Sequence, residues 1–178
     1  MNPYEVIYRY YKKESRLCDI LLRHSESVMR KAVDIVLRNP ELKADLEFVA
    51  EASLLHDIGI FMTDAEGIMC FGNRPYIEHG YLGAELMRLE GYPRHALVCE
   101  RHTGTGLTKE QIESNGWNIP HRDMVPVSVE EQIICYADKF FSKTRLDEEY
   151  TTDTARKKLE KFGEEGLRRF DRWTVMFG

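Results

Sequence analysis

Four histidines and two aspartates of this chain stand where a metal ion could be bound. The first pair, His56-Asp57, closes the apolar run Leu54-Leu55 and is followed by Ile58-Gly59. An imidazole nitrogen and a carboxylate oxygen together suit Zn, Fe, Mn or Ni. Neighbours on a helix point about a third of a turn apart, so both reach one ion only near a helix end. We expect Gly59 to provide that end in the left-handed conformation that glycine adopts readily.

The other candidate ligands also lie in apolar stripes with helical spacing. His24 is four residues from both Ile20 and Val28, which predicts an inward position on a helix. By contrast, His95 opens a short helix and is predicted to be a surface residue. Buried ionisable groups are costly unless they are paired or metal-bound, and helical bundles can hold metals on inward histidines and carboxylates. The candidate metal ligands are His24, His56, Asp57, His79, His102 and Asp138.

Capping residues and apolar periodicity predict the elements that carry these ligands. The pattern lacks convincing strands, and the segment 60–75 is predicted to be a long loop, suited to a rim or a lid over a site. The fold class is therefore predicted to be all-α, a single-domain helical bundle with an internal metal site. The predicted helices comprise one opening after Asn2, 16–38, 45–57, 78–90, one from Pro93 that stops at Gly104, 109–115, one after Ser128, and 152–177 with interruptions near Gly163 and Gly166.

The composition limits the classes of partner. The net charge of −5 argues against a protein that binds nucleic-acid polymers, which normally carries a basic excess. We see no signal peptide and no apolar run long enough for a membrane span. The four cysteines are widely separated and form no Cys-x-x-Cys pair, which favours a reducing, cytoplasmic location.

The order of the six ligands and the text around them resemble the HD-domain superfamily of metal-dependent phosphohydrolases, in its His-Asp-Ile-Gly form. The resemblance covers roughly residues 16–145. It implies one HD-type helical domain over 1–178, with the metal-site core at about 16–145 and a C-terminal helical extension at 152–177. The matching segments are Leu55-His56-Asp57-Ile58-Gly59, Glu78-His79-Gly80-Tyr81-Leu82-Gly83-Ala84, Arg101-His102-Thr103-Gly104-Thr105-Gly106 and Tyr136-Ala137-Asp138-Lys139.

The resemblance also implies a ligand set and a cofactor. His79 and His102 correspond to the extra ligands of binuclear members, in which Asp57 bridges two metal ions. The first ion would be held by Asp57 together with the remaining three residues, His24, His56 and Asp138. The expected cofactor is a pair of divalent ions, Fe or Mn, with Zn, Ni and Mg as alternatives.

Cations near the site are candidates for binding a phosphoryl group. Many members of the superfamily carry a lysine directly after His-Asp-Ile-Gly, whereas this chain has Ile60. Lys139 and Lys143 lie four residues apart on one predicted helix face, and Arg101 is an outer candidate. We expect Lys139 to act in catalysis with Asp57, and Lys139, Lys143 and Arg101 to bind substrate.

The favoured function is hydrolysis of a phosphomonoester or phosphodiester of a small, nucleotide-like substrate, with a metal-bound hydroxide as the nucleophile. Two alternatives remain open. One is a mixed-valence di-iron oxygenase of the same superfamily, and the other is a non-catalytic module that binds a metal or a ligand. The expected partner is a small phosphorylated substrate, without a nucleic-acid polymer or a membrane. The oligomeric state stays open, with a homodimer among the options.

Overall fold

Capping residues mark where the helices start. Ser15 and Asp45 each accept a hydrogen bond from the backbone N–H three residues later, at 3.1 and 3.0 Å. Thr108 and Gln111 form a complete capping box. The computed structural model describes residues 1–178. Its helices are α1 (Pro3–Tyr10), α2 (Arg16–Arg38), α3 (Leu46–Leu55), α4 (His79–Leu89), α5 (Pro93–Arg101), α6 (Lys109–Asn115), α7 (Val129–Asp138), α8 (Thr152–Lys158) and α9 (Glu164–Phe177).

The predicted all-α class is confirmed. The one departure from it is a small hairpin, in which β1 (Asp64–Ala65) pairs antiparallel with β2 (Cys70–Phe71). This hairpin and two 3-10 turns lie within the segment 60–75, so the long loop that the sequence predicts contains short ordered elements. Its conformation includes Met69 at φ +62°, an uncommon value for a residue with a side chain.

Helix α2 runs through both large apolar clusters of the protein. Val28 and Ile35 belong to the cluster that also holds side chains of α3, α7 and α9. Cys18 and Leu21 belong to the cluster that holds side chains of α1, α4 and α5. His24 is buried between these two stretches of α2, which therefore carries it into the interior. No helix of the chain is both long and apolar enough to cross a membrane.

The turn after α3 brings a second backbone close to the His-Asp pair. The expectation that Gly59 adopts a left-handed conformation is wrong, since its φ is −83° and its ψ is −4°. Gly59 is needed because a Cβ there would overlap the backbone of His79 and Gly83 on α4. In the same way, a Cβ at Gly83 would lie 3.1 Å from the nitrogen of Gly59. The two glycines thus let α4 lie directly against the turn that follows His56-Asp57.

The C-terminal helices pack onto the same core. The helical C-terminal region is interrupted at Gly163, whose φ is +89°, whereas Gly166 lies inside α9. Trp173 on α9 is buried, and its Nε1 donates a hydrogen bond to Gln132 Oε1 on α7 at 2.9 Å. Because α7 ends at Asp138, α9 supports the helix that carries a candidate ligand.

His95 is buried, so the prediction that it lies at the surface is wrong. Its Nε2 is 3.0 Å from Glu51 Oε2, and its ring packs against Phe48 with the centroids 4.9 Å apart. The sequence shows neither contact, because Glu51 and Phe48 belong to a different helix. His95 therefore helps to hold α3 and α5 together, outside the candidate site.

Candidate metal centre

The six candidate ligands converge in the interior as two groups that share Asp57. The residues of the first group come from α2, from the turn after α3 and from the end of α7. The second group adds the first residue of α4 and the residue after α5. Within each group the donor atoms lie within 4.8 Å of one another. The first group is His24, His56, Asp57 and Asp138, and the second is Asp57, His79 and His102.

In the first group, two histidine nitrogens face two carboxylate oxygens. Asp57 Oδ2 lies 3.0 Å from His56 Nε2 and 3.2 Å from His24 Nε2. Asp138 Oδ1 lies 3.0 Å from His24 Nε2 and 3.3 Å from His56 Nε2. The four atoms therefore surround one point.

In the second group, the other carboxylate oxygen of Asp57 faces two histidine nitrogens. Asp57 Oδ1 lies 3.2 Å from His102 Nε2 and 3.3 Å from His79 Nε2. The two histidine nitrogens are 3.0 Å apart. Each oxygen of Asp57 thus faces a different set of histidines, which is the arrangement of a carboxylate between two cation positions.

Backbone carbonyls orient three of the four histidines. The Nδ1 atoms of His56, His79 and His102 lie 2.7, 2.6 and 2.7 Å from the carbonyl oxygen three residues earlier. A carbonyl only accepts hydrogen bonds, so each Nδ1 carries a proton and each Nε2 is directed into the centre. Metal-binding histidines usually have their second nitrogen held in this way.

The donor set fits divalent metal ions. His79 Nε2 and His102 Nε2 lie 3.0 Å apart, close enough for both nitrogens to bind one cation. His56 Nε2 is buried and has no hydrogen-bond partner, although Asp57 Oδ2 lies 3.0 Å away. Ligand atoms 2.0–2.1 Å from one Zn-sized ion would be about 2.9–3.4 Å apart, and the distances of 3.0–3.3 Å given above lie in that range.

The charges in the centre are strongly coupled. Burial alone would lower the pKa of His56, but the carboxylates of Asp57 and Asp138 outweigh it and raise that pKa to about 10. Burial also lowers the pKa of His102 to about 4, although Asp57 opposes the shift. The pKa values of both aspartates are held well below the ordinary range: burial would raise them, but His56 and the nearby lysines more than compensate.

Two lysines neutralise the aspartates, from positions that differ from the predicted ones. Helix α7 ends at Asp138, so the expectation that Lys139 and Lys143 share a helix face is wrong. Lys139 Nζ donates to Asp138 Oδ2 at 2.7 Å and to the carbonyl oxygen of His102 at 2.8 Å. Lys143 lies in the following turns, with its Nζ 2.6 Å from Asp57 Oδ2. Both ammonium groups are therefore held against ligand residues.

Arg101 is not brought to the centre. Its Nη1 donates to Glu131 Oε2 at 2.8 Å, and it is absent from the wall of the cavity described next. Although Arg101 precedes His102, the two side chains leave the backbone in different directions. Adjacency to a ligand in the sequence therefore does not place a side chain in the site.

A cavity of about 440 Å³ opens from the metal centre towards the surface. His24, His79, His102 and Asp138 line its inner end, together with Lys139 and Lys143. The ring of Tyr76 stacks on His79 with a centroid distance of 4.4 Å and also lines the cavity. The segment 60–75 contributes to the wall, as expected of a rim. Its contributors are Ala65, Gly67 and Ile68.

The outer wall contains residues that the sequence analysis does not single out. They come from the region after α7 and from the C-terminal segment, which lie far in sequence from most of the ligands. The only sign of this wall in the sequence is the spacing Lys158-x-x-Lys161-Phe162. That spacing is too common to predict a site. The residues in question are Phe141, Tyr150, Lys158, Leu159, Lys161 and Phe162.

Comparison with known families assigns the domain. The family described as HD domain matches residues 21–142, a range that contains all six candidate ligands. The chain belongs to the HD domain family. As in other HD domains, the buried His/Asp cluster could hold divalent metal ions. Most of the outer cavity wall, from Tyr150 to Phe162, lies beyond the matched range.

Three relatives each match three quarters or more of this chain. An uncharacterized protein of Methanocaldococcus jannaschii is 35% identical over 144 residues, which cover 79% of this chain and 76% of that protein. A tRNA (cytidine(56)-2'-O)-methyltransferase of Picrophilus torridus is 33% identical over 135 residues, 75% of this chain but 35% of that protein. The methyltransferase of the same name from Thermoplasma volcanium is 34% identical over 79% of this chain and 37% of its own length. No solved structure shows a significant match.

Proposed function

We propose that this HD domain is a metal-dependent phosphohydrolase that cleaves a phosphomonoester or phosphodiester of a small, nucleotide-like molecule. The observation that carries the proposal is Asp57, whose two buried oxygens face two separate sets of histidines. Divalent ions at these two positions, Fe or Mn in the first instance, would activate water and neutralise charge on phosphoryl oxygens.

The residues of the chain supply positioning and charge around the ions. Backbone carbonyls fix the rings of His56, His79 and His102, so these nitrogens are oriented before a ligand arrives. Lys139 holds the carboxylate of Asp138 in place. The cavity of about 440 Å³ is within the size range of small-ligand sites, and lysines line both its inner end and its mouth.

The methyltransferase name of two relatives does not determine this proposal. The chain spans little more than a third of those proteins, at 35% and 37% of their lengths. The proposal depends instead on the His/Asp cluster, which lies entirely within the matched HD domain.

The test is metal analysis combined with a panel of phosphoesters. The panel contains nucleoside monophosphates, a cyclic nucleotide and p-nitrophenyl phosphate. We expect the wild-type protein to bind divalent metal and to hydrolyse at least one member. Asp57→Asn should lose both properties, and the control Asp34→Asn, on the exposed face of α2, should keep them. Metal-loaded protein that cleaves no member would refute the proposal.

Electron paramagnetic resonance tests the oxygenase alternative on the same preparation. Anaerobically purified, partly reduced protein should give no signal from a coupled mixed-valence di-iron centre if hydrolysis is the function. Such a signal, together with inactivity on the panel, would favour the oxygenase. Unchanged metal content and stability in Asp57→Asn would instead favour a non-catalytic module.

A further inference from the structure

The C-terminal segment contributes two cations without ionic partners to the mouth of the cavity. Lys158 and Lys161 line the cavity, are exposed, and have no carboxylate oxygen within 4.0 Å. The nearby Arg156 differs, because its Nε pairs with Asp171 Oδ1 at 2.8 Å. The two lysines are therefore free to bind an anion.

The inner cations of the same cavity are already engaged. Lys139 donates to Asp138 at 2.7 Å, and Lys143 lies 2.6 Å from Asp57. Charge in the cavity is therefore arranged in two zones. At the inner end, lysines are compensated by the aspartates of the metal centre. At the mouth, Lys158 lies over the ring of Tyr150 and Lys161 over the ring of Phe162, and neither charge is compensated by a carboxylate.

The mouth is held rigidly on the loop that follows His102. The ring of Phe162 packs on Gly104, where a Cβ would lie 3.1 Å from the ring. Gln111 Nε2 donates to the carbonyl oxygen of Phe162 at 2.8 Å. Thr105 Oγ1 donates to the carbonyl oxygen of Gly166 at 3.1 Å. These contacts fix the lysine-bearing segment relative to the metal centre.

We propose that Lys158 and Lys161, with Phe162 beside them, form a second anion subsite that selects substrates with an additional anionic group remote from the scissile phosphoester. The inference depends on the proposed phosphohydrolase function for the inner end. It assigns a specificity role to a segment that lies beyond the family match at 21–142. The remote group stays intact in the reaction, and it is held at the mouth while the phosphoester lies at the metal centre.

The test compares two ligands that differ by one remote phosphate, adenosine 5′-monophosphate and adenosine 3′,5′-bisphosphate. With metal-loaded wild-type protein we expect the bisphosphate to bind about tenfold more tightly, because charge-assisted hydrogen bonds contribute at that level. The double variant Lys158→Gln/Lys161→Gln should lose this preference and bind the monophosphate as before. Lys157→Gln is the matched control, since Lys157 is exposed on the same helix but does not line the cavity.

Dissociation constants come from equilibrium dialysis, and KM and kcat come from phosphate release. In the double variant, KM for the bisphosphate should rise while kcat stays unchanged. Equal affinity of the wild type for the two nucleotides, a retained preference in the double variant, or no binding of either nucleotide would overturn the subsite. Absence of hydrolysis with a preserved binding preference would instead refute the proposed function alone.

Discussion

Lys143 Nζ lies 2.6 Å from Asp57 Oδ2, the same oxygen that faces His24 and His56. Lys143 is thus the counter-ion of a buried carboxylate at one of the candidate metal positions. A metal ion that binds this oxygen competes with the ammonium group. We expect Lys143→Gln to raise the affinity for divalent metal by on the order of tenfold, because this competition is removed.

The same substitution should destabilise the protein without metal, since Asp57 loses a buried partner. We expect the thermal midpoint in the presence of a chelator to fall by about 3 °C or more. Added metal should reduce that difference. Lys12→Gln, an exposed lysine outside the cavity, serves as the control. Unchanged metal affinity in Lys143→Gln, measured by titration with a competing chelator, would show that the ammonium does not compete.

Metal binding should release a proton from His56. Burial would lower its pKa, but Asp57 and Asp138 raise it to about 10, so the ring is protonated at pH 7 to 9 in the metal-free protein. A metal ion needs the lone pair of Nε2 and therefore displaces that proton. We expect apparent metal affinity to rise with pH over this range. Titration of metal into weakly buffered protein measures the release directly, and no release at pH 8 would contradict the shift.

The stability of the metal-free protein should also depend on His56. It should fall as the pH rises, whereas the metal affinity should increase. The folded state binds the His56 proton more tightly than the unfolded chain, whose histidine pKa is near 6.5. The stabilisation from His56 is therefore complete below about pH 6.5 and is lost as the pH rises towards 10. Urea unfolding with a chelator at pH 6.5, 8 and 9.5 measures this decline. His121→Gln, an exposed histidine, should leave it unchanged.

Gly59→Ala tests the close approach between the His-Asp turn and α4. The added methyl group would overlap the backbone of His79 and Gly83, so α4 must shift away from Asp57. We expect a loss of about 1–3 kcal/mol in the free energy of unfolding, together with weaker metal binding. Gly67→Ala is the control, because a Cβ there meets no atom within 4 Å. Equal stability of the two variants in urea unfolding would show that α4 tolerates the shift.

Local signals explain what the sequence predicted well. Helix α2 starts after Ser15 and ends before Asn39, as predicted, because a capping side chain and a following proline act within a few residues. The ligands were found because their apolar neighbours repeat at helical spacing, which shows the buried face. The recognised motifs also fixed the family, since they occur in the same order along the chain.

Contacts between distant segments explain what the sequence did not predict. The sequence predicts a left-handed backbone at Gly59. Glycine is instead required there because the backbone of α4 lies too close for a Cβ. The four-residue spacing of Lys139 and Lys143 predicts a shared helix face, whereas α7 ends at Asp138. His95 is buried by Glu51, a residue 44 positions away. Single-sequence patterns carry no information on such pairs, and the outer cavity wall depends on them throughout.

The last prediction separates the two groups of ligands. His102 contacts only the Oδ1 side of Asp57, so His102→Gln should remove the second cation position and spare the one formed with His24 and His56. We expect metal content, measured by mass spectrometry after dialysis, to fall from two ions to one per chain. His121→Gln should retain two. If wild-type protein binds a single ion and His102→Gln binds it equally well, Asp57 does not bridge two metals, because the nitrogens of His79 and His102 would then hold none.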